Sequence, residues 1–160
     1  KDTIEVLKRC RDSQQKIFQK LKSKNPKLNI HNCDKNLDLS DLKTNEIELY
    51  NGMIQNRDIL KRVLPELEKD EPNHRFIGEL LSEHHTILRD VLQVSTPKIE
   101  SMIDAAMDAG ALGGKINGSG GGGCMFAYAP DEPEKVAEAV KKICGNTQII
   151  HSDAGTKILI

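Results

Sequence analysis

The stretch Gly110-Ala111-Leu112-Gly113-Gly114-Lys115-Ile116-Asn117-Gly118-Ser119-Gly120-Gly121-Gly122-Gly123-Cys124 holds eight of the chain's 12 glycines. Met125-Phe126-Ala127-Tyr128-Ala129 follows without a break. A flexible linker is the bland reading, but a linker does not end directly in a strongly apolar run. Ala111 to Ile116 reads as short and extended, and Cys124 to Ala129 as a buried or nearly buried strand. Glycine loses backbone entropy on ordering. A run of it between two strands therefore marks a chain that bends sharply or approaches a ligand closely. Successive N–H groups in such a turn form an anion-binding concavity that side chains would block. Ser119 adds a hydroxyl donor, and Lys115 a positive charge or a solvent-facing strand position. The pattern is not a Walker A loop, which needs Gly-Lys-Ser/Thr after its first glycine. Nor is it a dinucleotide fingerprint, because a strand follows the loop in place of a helix. Ligand loop and structural bend both stay open.

Upstream of the loop the apolar period is helical. Thr3 to Lys22 reads as a helix with Ile4, Leu7, Cys10, Ile17, Phe18 and Leu21 on its apolar side. Residues 23–45 read as a long connection anchored by Leu28, Ile30, Leu37, Leu39 and Leu42. Glu46 to Leu64 is a second helix, with Ile47, Tyr50, Ile54 and Leu60 near one side and an interruption at Pro65. Arg75 to Leu92 is a third, with Ile77, Leu80, Leu81, His84, Leu88, Val91 and Leu92 as its stripe. Thr96 caps a fourth helix and Pro97 suits its first position. Ile99, Met102, Ile103, Ala106 and Met107 face inward there, and Gly110 stops it. Downstream, Asp131 and Glu134 have capping-box spacing before a helix to Cys144, with Val136, Val140 and Ile143 turned to the core. Thr147 to His151 and Lys157 to Ile160 read as strands, joined by a turn at Asp153-Ala154-Gly155. The order points to an α+β fold, with helices packed on a mainly antiparallel sheet.

With 160 residues the chain suits one domain. Residues 1–74 form a helical part with the long connection, and 75–160 the glycine-loop sheet part. Hydrophobic residues are 38% and charged residues 29%, and the mean hydropathy is -0.48. No run reaches the roughly 18 apolar residues of a membrane span, so no membrane partner is expected. The net charge of -1 hides a basic start, since residues 1–28 carry nine Lys or Arg and three Asp or Glu. With only 3% aromatics there are few platforms for stacking bases, so nucleic acid is not an expected partner. Cys10, Cys33, Cys124 and Cys144 have no CxxC spacing, which disfavours a zinc site or redox pair. Free thiols and no signal-like segment suit a cytoplasmic location. His31, His74, His84, His85 and His151 are too scattered for a metal site. His84 falls on the apolar stripe and reads as a core residue. Met102, Met107 and Met125 read as core. Ser119 has no base beside it and is not a covalent nucleophile.

The glycine stretch from Gly110 to Cys124 resembles the C-terminal motif of the GHMP kinases, a superfamily that includes galactokinase, homoserine kinase, mevalonate kinase and phosphomevalonate kinase. Glu83-His84-His85-Thr86-Ile87-Leu88-Arg89-Asp90, followed by Val94-Ser95-Thr96-Pro97, is similar to the helix-to-helix stretch of galactokinases. The resemblance covers residues 75–160, and 1–74 only in helical character. Asn117 stands where galactokinases usually have Thr, and Gly121 where they usually have an aromatic residue. The all-glycine form is more similar to mevalonate kinase, and Val91-Leu92 replaces the usual Asp-Tyr.

The resemblance implies the ferredoxin-like C-terminal domain of a two-domain enzyme that uses ATP and Mg²⁺ to phosphorylate a small-molecule hydroxyl. The expected acceptor is a sugar or sugar phosphate (galactose, fucose or a heptose phosphate), with a mevalonate-like acceptor or a noncatalytic α+β binding module as alternatives. It implies that Gly118, Ser119, Gly120, Gly121, Gly122 and Gly123 shape the transfer site, with support from Lys115, Asn117, Arg89 and Asp90. Arg89 and Asp90 also read as a local ion pair. No catalytic residue and no metal ligand is expected in this chain. The principal nucleotide loop and the general base belong to the superfamily's N-terminal domain. Residues 1–45 contain no glycine, so no second phosphate loop is found here. The chain starts at Lys1, not Met, which suits a piece of a longer kinase that is inactive alone.

Overall fold

The computed structural model describes residues 3–34 and 36–151. Among these residues are five α-helices and one π turn, with a hairpin between the last two helices. Helix α1 spans Thr3–Lys24 and α2 spans Thr44–Leu67, with a run of turns between them. Helix α3, His74–Thr86, runs directly into a π turn at Ile87–Val91. Helix α4 is Pro97–Asp108, strand β1 is Gly113–Asn117, β2 is Cys124–Tyr128, and α5 is Pro133–Cys144.

Local chemistry sets most of the ends. Thr96 Oγ1 accepts from the Ile99 N–H at 3.4 Å, and Pro97 takes the first turn of α4, where a missing N–H costs nothing. Asn73 Oδ1 accepts from Phe76 N–H at 3.0 Å and starts α3. Glu46 Oε2 accepts from Lys43 N–H at 2.9 Å at the head of α2, and Lys20 of α1 reaches the same carboxylate at 2.7 Å. The Glu46 carboxyl is held below its ordinary value by Lys20 and by the Lys43 amide.

Three buried clusters hold the chain together. The largest joins Val94, Ile99, Met102, Ile103 and Ala106 of the α4 region to Ile116 of β1, Val136 and Val140 of α5, and Val6 of α1. A second packs Ile17 and Leu21 of α1 against Tyr50 and Ile54 of α2, beneath Leu28, Cys33 and Leu42 of the connection. There the Tyr50 hydroxyl donates to Asp34 O at 2.8 Å. Arg57 donates to the carbonyls of Ile30 and Cys33, which ties the connection to α2. A small third cluster, Ile59, Leu80 and Ile87, joins α2 to α3.

The hairpin is antiparallel, with Gly113 opposite Tyr128 and Asn117 opposite Cys124. Its closest neighbour is α3. A Cβ added to Gly78 would lie 2.3 Å from Leu112 O, and one added to Gly113 would lie 2.0 Å from Gly78 O. Only a glycine on each side permits this approach of helix to strand.

The arrangement corrects several expectations. Pro65 does not interrupt α2, which continues to Leu67. The Arg75–Leu92 helix is α-helical only to Thr86, after which the π turn takes over. That turn splits the expected stripe: Leu88 and Leu92 pack on the main cluster, Val91 on the α2–α3 cluster. Leu7, Leu60, Met107 and Ile143 are exposed, because they lie at the edges of stripes whose centres are Val6, Ile59, Ala106 and Val140, and Ile4 is exposed on the far side of α1 from Val6. Strand β2 is only half-buried and its Cys124 exposed, since among the described residues β1 is its one neighbour in the sheet. Helix α5 starts at Pro133 without a side-chain cap, so the Asp131–Glu134 box does not form. Thr147–His151 is not a strand: no neighbouring strand among the described residues offers it a ladder, and Thr147 Oγ1 donates instead to Ala137 O of α5. The strand and turn expected within 153–160 lie outside the described residues. All four cysteines are free thiols. No described helix is long and apolar enough to cross a membrane.

Candidate functional site

The glycine loop, Gly118–Gly123, closes the hairpin. Its backbone is left-handed at Gly118, Gly120, Gly121 and Gly122, with φ of 81°, 74°, 74° and 116°. The six residues divide into two groups. Gly120 is buried, and a Cβ on it would stand 2.5 Å from Val94 O and 2.7 Å from Val94 Cβ. The Gly121 N–H donates to the same Val94 carbonyl at 2.8 Å. These two residues seat the loop. Gly118, Gly122 and Gly123 are exposed, and nothing lies within 4 Å of a Cβ added to Gly118 or Gly122. Gly120 thus meets the demand of a structural bend, and the outer rim is exposed. Ser119 is half-buried between the two groups.

The seat is the turn from Leu92 to Thr96. Val94 N–H donates to Leu88 O of the π turn at 3.0 Å. Gln93 has φ of 53°, a left-handed conformation rare outside glycine. Arg9 of α1 donates to Leu92 O at 2.9 Å. Ser95 Oγ donates to Glu100 Oε1, and the same oxygen meets His85 Nε2 at 3.0 Å. Arg89 Nη1 lies 3.5 Å from Glu100 Oε2. Burial pushes the Glu100 carboxyl up, but the Ser95 hydroxyl, His85 and Arg89 outweigh it, and its pKa lies below the ordinary value. His85, not His84, is the core histidine: it is 3% exposed, and its Nδ1 has no hydrogen-bond partner. His84 is half-buried, with a pKa lowered by burial and by Lys115.

The remaining candidates fall around this frame. Arg89 and Asp90 form the expected local pair, Nε to Oδ1 at 2.7 Å and Nη2 to Oδ2 at 3.0 Å, on an exposed surface. Lys115 does not extend into solvent. Its Nζ donates to Ile116 O at 2.8 Å and lies 5.3 Å from the centre of the Phe126 ring, its cross-strand partner. Burial lowers its pKa. Asn117 is exposed at the mouth of the loop, opposite Cys124. No cluster of His, Cys, Asp and Glu among the described residues suits a metal ion. Sequence reasoning missed Glu100 and the role of Val94. The available signal was an acid in the first turn after the Thr96-Pro97 start, one turn beyond Ser95.

Residues 63–146 match the family of GHMP kinases C terminal, and the chain belongs to that family. It is 46% identical over 88 residues to a mevalonate kinase from Pyrococcus furiosus, covering 55% of this chain and 25% of that protein. It is 29% identical over 106 residues to a galactokinase from Bacillus subtilis, covering 59% of this chain and 27% of that protein. The chain thus spans about a quarter of the length of these curated relatives. Its fold is similar to that of a Lactococcus lactis galactokinase solved with galactose. The TM-score is 0.57 at 22% identity, and the match covers 91% of this chain and 39% of that one.

Proposed function

We propose that this chain is the substrate-side, C-terminal part of an ATP-dependent small-molecule kinase, and that the outer rim of the glycine loop lies against the phosphoryl group in transfer. The observation that supports this best is the division of the loop. Gly120 and Gly121 are fixed on Val94, while Gly118, Gly122 and Gly123 are exposed beside the half-buried hydroxyl of Ser119. A rigidly seated, side-chain-free rim suits backbone donors aimed at an anion. ATP with Mg²⁺ would supply the phosphoryl group and neutralise its charge. A left-handed glycine backbone would suit phosphate oxygens, whereas the described residues offer no carboxylate cluster for the metal, which is left to the rest of the enzyme. This chain's own part is to orient the phosphoryl group and exclude water. The general base and the main nucleotide loop belong to an N-terminal domain, and the chain alone is inactive.

For the acceptor we favour a mevalonate-type hydroxy acid. The 46% identity to a mevalonate kinase and the all-glycine loop both support it. A sugar or sugar phosphate is the second reading, favoured by the Leu88-Arg89-Asp90 and Val94-Ser95-Thr96-Pro97 stretch and by the galactokinase relative. The test is ADP release by the polypeptide that carries this chain, offered mevalonate, galactose, fucose and heptose phosphates in turn. Turnover with mevalonate alone supports the first reading, and turnover with a sugar alone supports the second. No turnover with any acceptor in the panel counts against both.

A further inference from the structure

We propose that Glu100 is the positioning residue of the glycine loop: its carboxylate fixes the Leu92–Thr96 turn, and that turn sets where Gly120 and Gly121 can sit. The catalytic consequence rests on the kinase reading above, but the structural one does not. Glu100 lies in the first turn of α4, and its carboxylate bonds to neither the glycine loop nor Val94. It gathers donors from three sources. Ser95 brings a hydroxyl from the turn itself, His85 a ring nitrogen from α3, and Arg89 a guanidinium from the π turn.

The turn needs such a hold. Gln93 occupies left-handed backbone without being glycine, a conformation that persists only where the surroundings over-determine it. Val94 must then present its carbonyl to Gly121 N–H, and its backbone and side chain to Gly120, at distances that leave no room for one methyl group. A shift of the turn by a fraction of an ångström either opens that contact or drives it into overlap. Other bonds also hold the turn: Leu92 N–H to Ile87 O and Val94 N–H to Leu88 O, Arg9 of α1 to the carbonyls of Leu92 and Gln93, and the Thr96 cap on α4. Glu100 adds the tie to His85 of α3. His85 is buried with Nδ1 unpartnered, so among the described residues the ring's one hydrogen bond is to Glu100. A buried ring with one satisfied nitrogen is an expensive arrangement. Here it places a buried ring against the carboxylate and limits where Glu100 can move.

The deciding measurement is amide hydrogen exchange at Gly121, compared with amides of the β1–β2 ladder, in the wild-type chain and in Glu100→Ala, Glu100→Gln and Ser95→Ala. Loss of hydrogen bonds to a carboxylate predicts that Glu100→Ala speeds Gly121 exchange by about tenfold or more, with the ladder amides unchanged. Glu100→Gln keeps an acceptor oxygen for Ser95 and is expected in between. Ser95→Ala should move in the same direction by less. Gly121 protection that stays at the wild-type level in folded Glu100→Ala overturns the proposal. So does a parallel rise in the ladder amides, which would make Glu100 a general stabiliser. If Glu100→Ala does not fold, Ser95→Ala decides in the same way. In the carrying polypeptide, kcat should fall with Glu100→Ala while KM for the acceptor stays nearly constant, and Glu100→Gln should restore most of it. An unchanged kcat in a variant with faster Gly121 exchange overturns the catalytic half. A wild type without turnover overturns the kinase reading only, and the exchange ratio still decides whether Glu100 sets the seat.

Discussion

Gly78 of α3 and Gly113 of β1 meet backbone to backbone, so closely that a Cβ on Gly113 would fall 2.0 Å from the Gly78 carbonyl oxygen. This contact carries the hairpin, and hence the loop at its end, on a helix and not on a mobile connection. Gly113→Ala or Gly78→Ala forces backbone apart, which no rotamer change relieves. Either substitution is expected to cost about 3 kcal/mol or more, the upper end for overpacking. Urea unfolding of the chain checks it, and a loss below about 1 kcal/mol would show that helix and strand can separate cheaply.

The loop itself should respond differently at neighbouring positions. Gly120→Ala places its methyl group against Val94 and is expected to unseat the loop. Gly118→Ala meets open space, so its cost is limited to left-handed backbone, about 1 kcal/mol. Thermal unfolding with Gly121 exchange separates the two: only Gly120→Ala should expose the Gly121 amide. Equal exposure in both variants would mean that the φ values, and not the Val94 contact, hold the loop.

Much of this frame was legible because its signals are local. Thr96-Pro97 starts α4 as expected, because cap and first-turn proline act within one turn. The two strands around the glycine run were legible from their apolar flanks and from the need of a glycine run for ordered neighbours. What was not legible depends on partners far along the chain. The π turn inserts an extra residue per turn and rotates everything after it. Leu88 and Val91 thereby leave the stripe that Ile77 and Leu80 begin, and no spacing rule foretells it. His84 has the better apolar spacing, yet His85 is buried, because Glu100 on another helix supplies its partner. Met107 and Ile143 show the limit of periodicity, which finds the middle of a face but not its edges. Thr147–His151 has strand composition but no strand beside it among the described residues.

The Glu100 carboxyl has a depressed pKa in the folded chain, so the sign of its pH effect is fixed. Its stabilisation is complete above the ordinary carboxylate value of 4.5 and is lost as pH falls through the lower folded value. His85, Ser95 and Arg89 face it, and Asp90 shares Arg89. Wild type and Glu100→Gln should therefore differ most in urea midpoint near neutrality and converge in acid. A gap that stays constant from pH 7 down to pH 3 would show that the charge of Glu100 contributes nothing.

Tyr50 predicts an alkaline limit. Burial, with Cys33 beside it, pushes its phenol from 10.0 to about 12. A raised folded pKa stabilises fully below 10.0 and is lost as pH climbs toward about 12. The chain has two tyrosines, and Tyr128 is also raised, mainly by burial. Phenolate absorbance should therefore lag behind free tyrosine, and Tyr50→Phe should remove the later step. The same variant loses the hydrogen bond to Asp34 O, at a cost of about 1 kcal/mol near neutrality. A phenolate step at pH 10 assigned to Tyr50 would show that the α1–α2 cluster admits water.

Ser119 separates a kinase from a noncatalytic module. It is half-buried beside Gly120 in the chain, and the atoms that meet in the Gly120–Val94 contact are not those of Ser119. Ser119→Leu should thus change stability by no more than about 0.5 kcal/mol, as at other sites outside the packed core. In a kinase the same side chain stands in the approach of the phosphoryl group and removes a hydroxyl donor. Loss of one positioned donor in a transfer site costs about 100-fold in kcat or more. The carrying polypeptide should therefore keep its melting temperature and lose most of its turnover. A variant that melts like the wild type and transfers phosphate at the same rate would place the transfer site elsewhere. The glycine rim would then be a structural bend along its whole length, since neither the Ser119 hydroxyl nor the open space beside Gly118 and Gly122 would be in use.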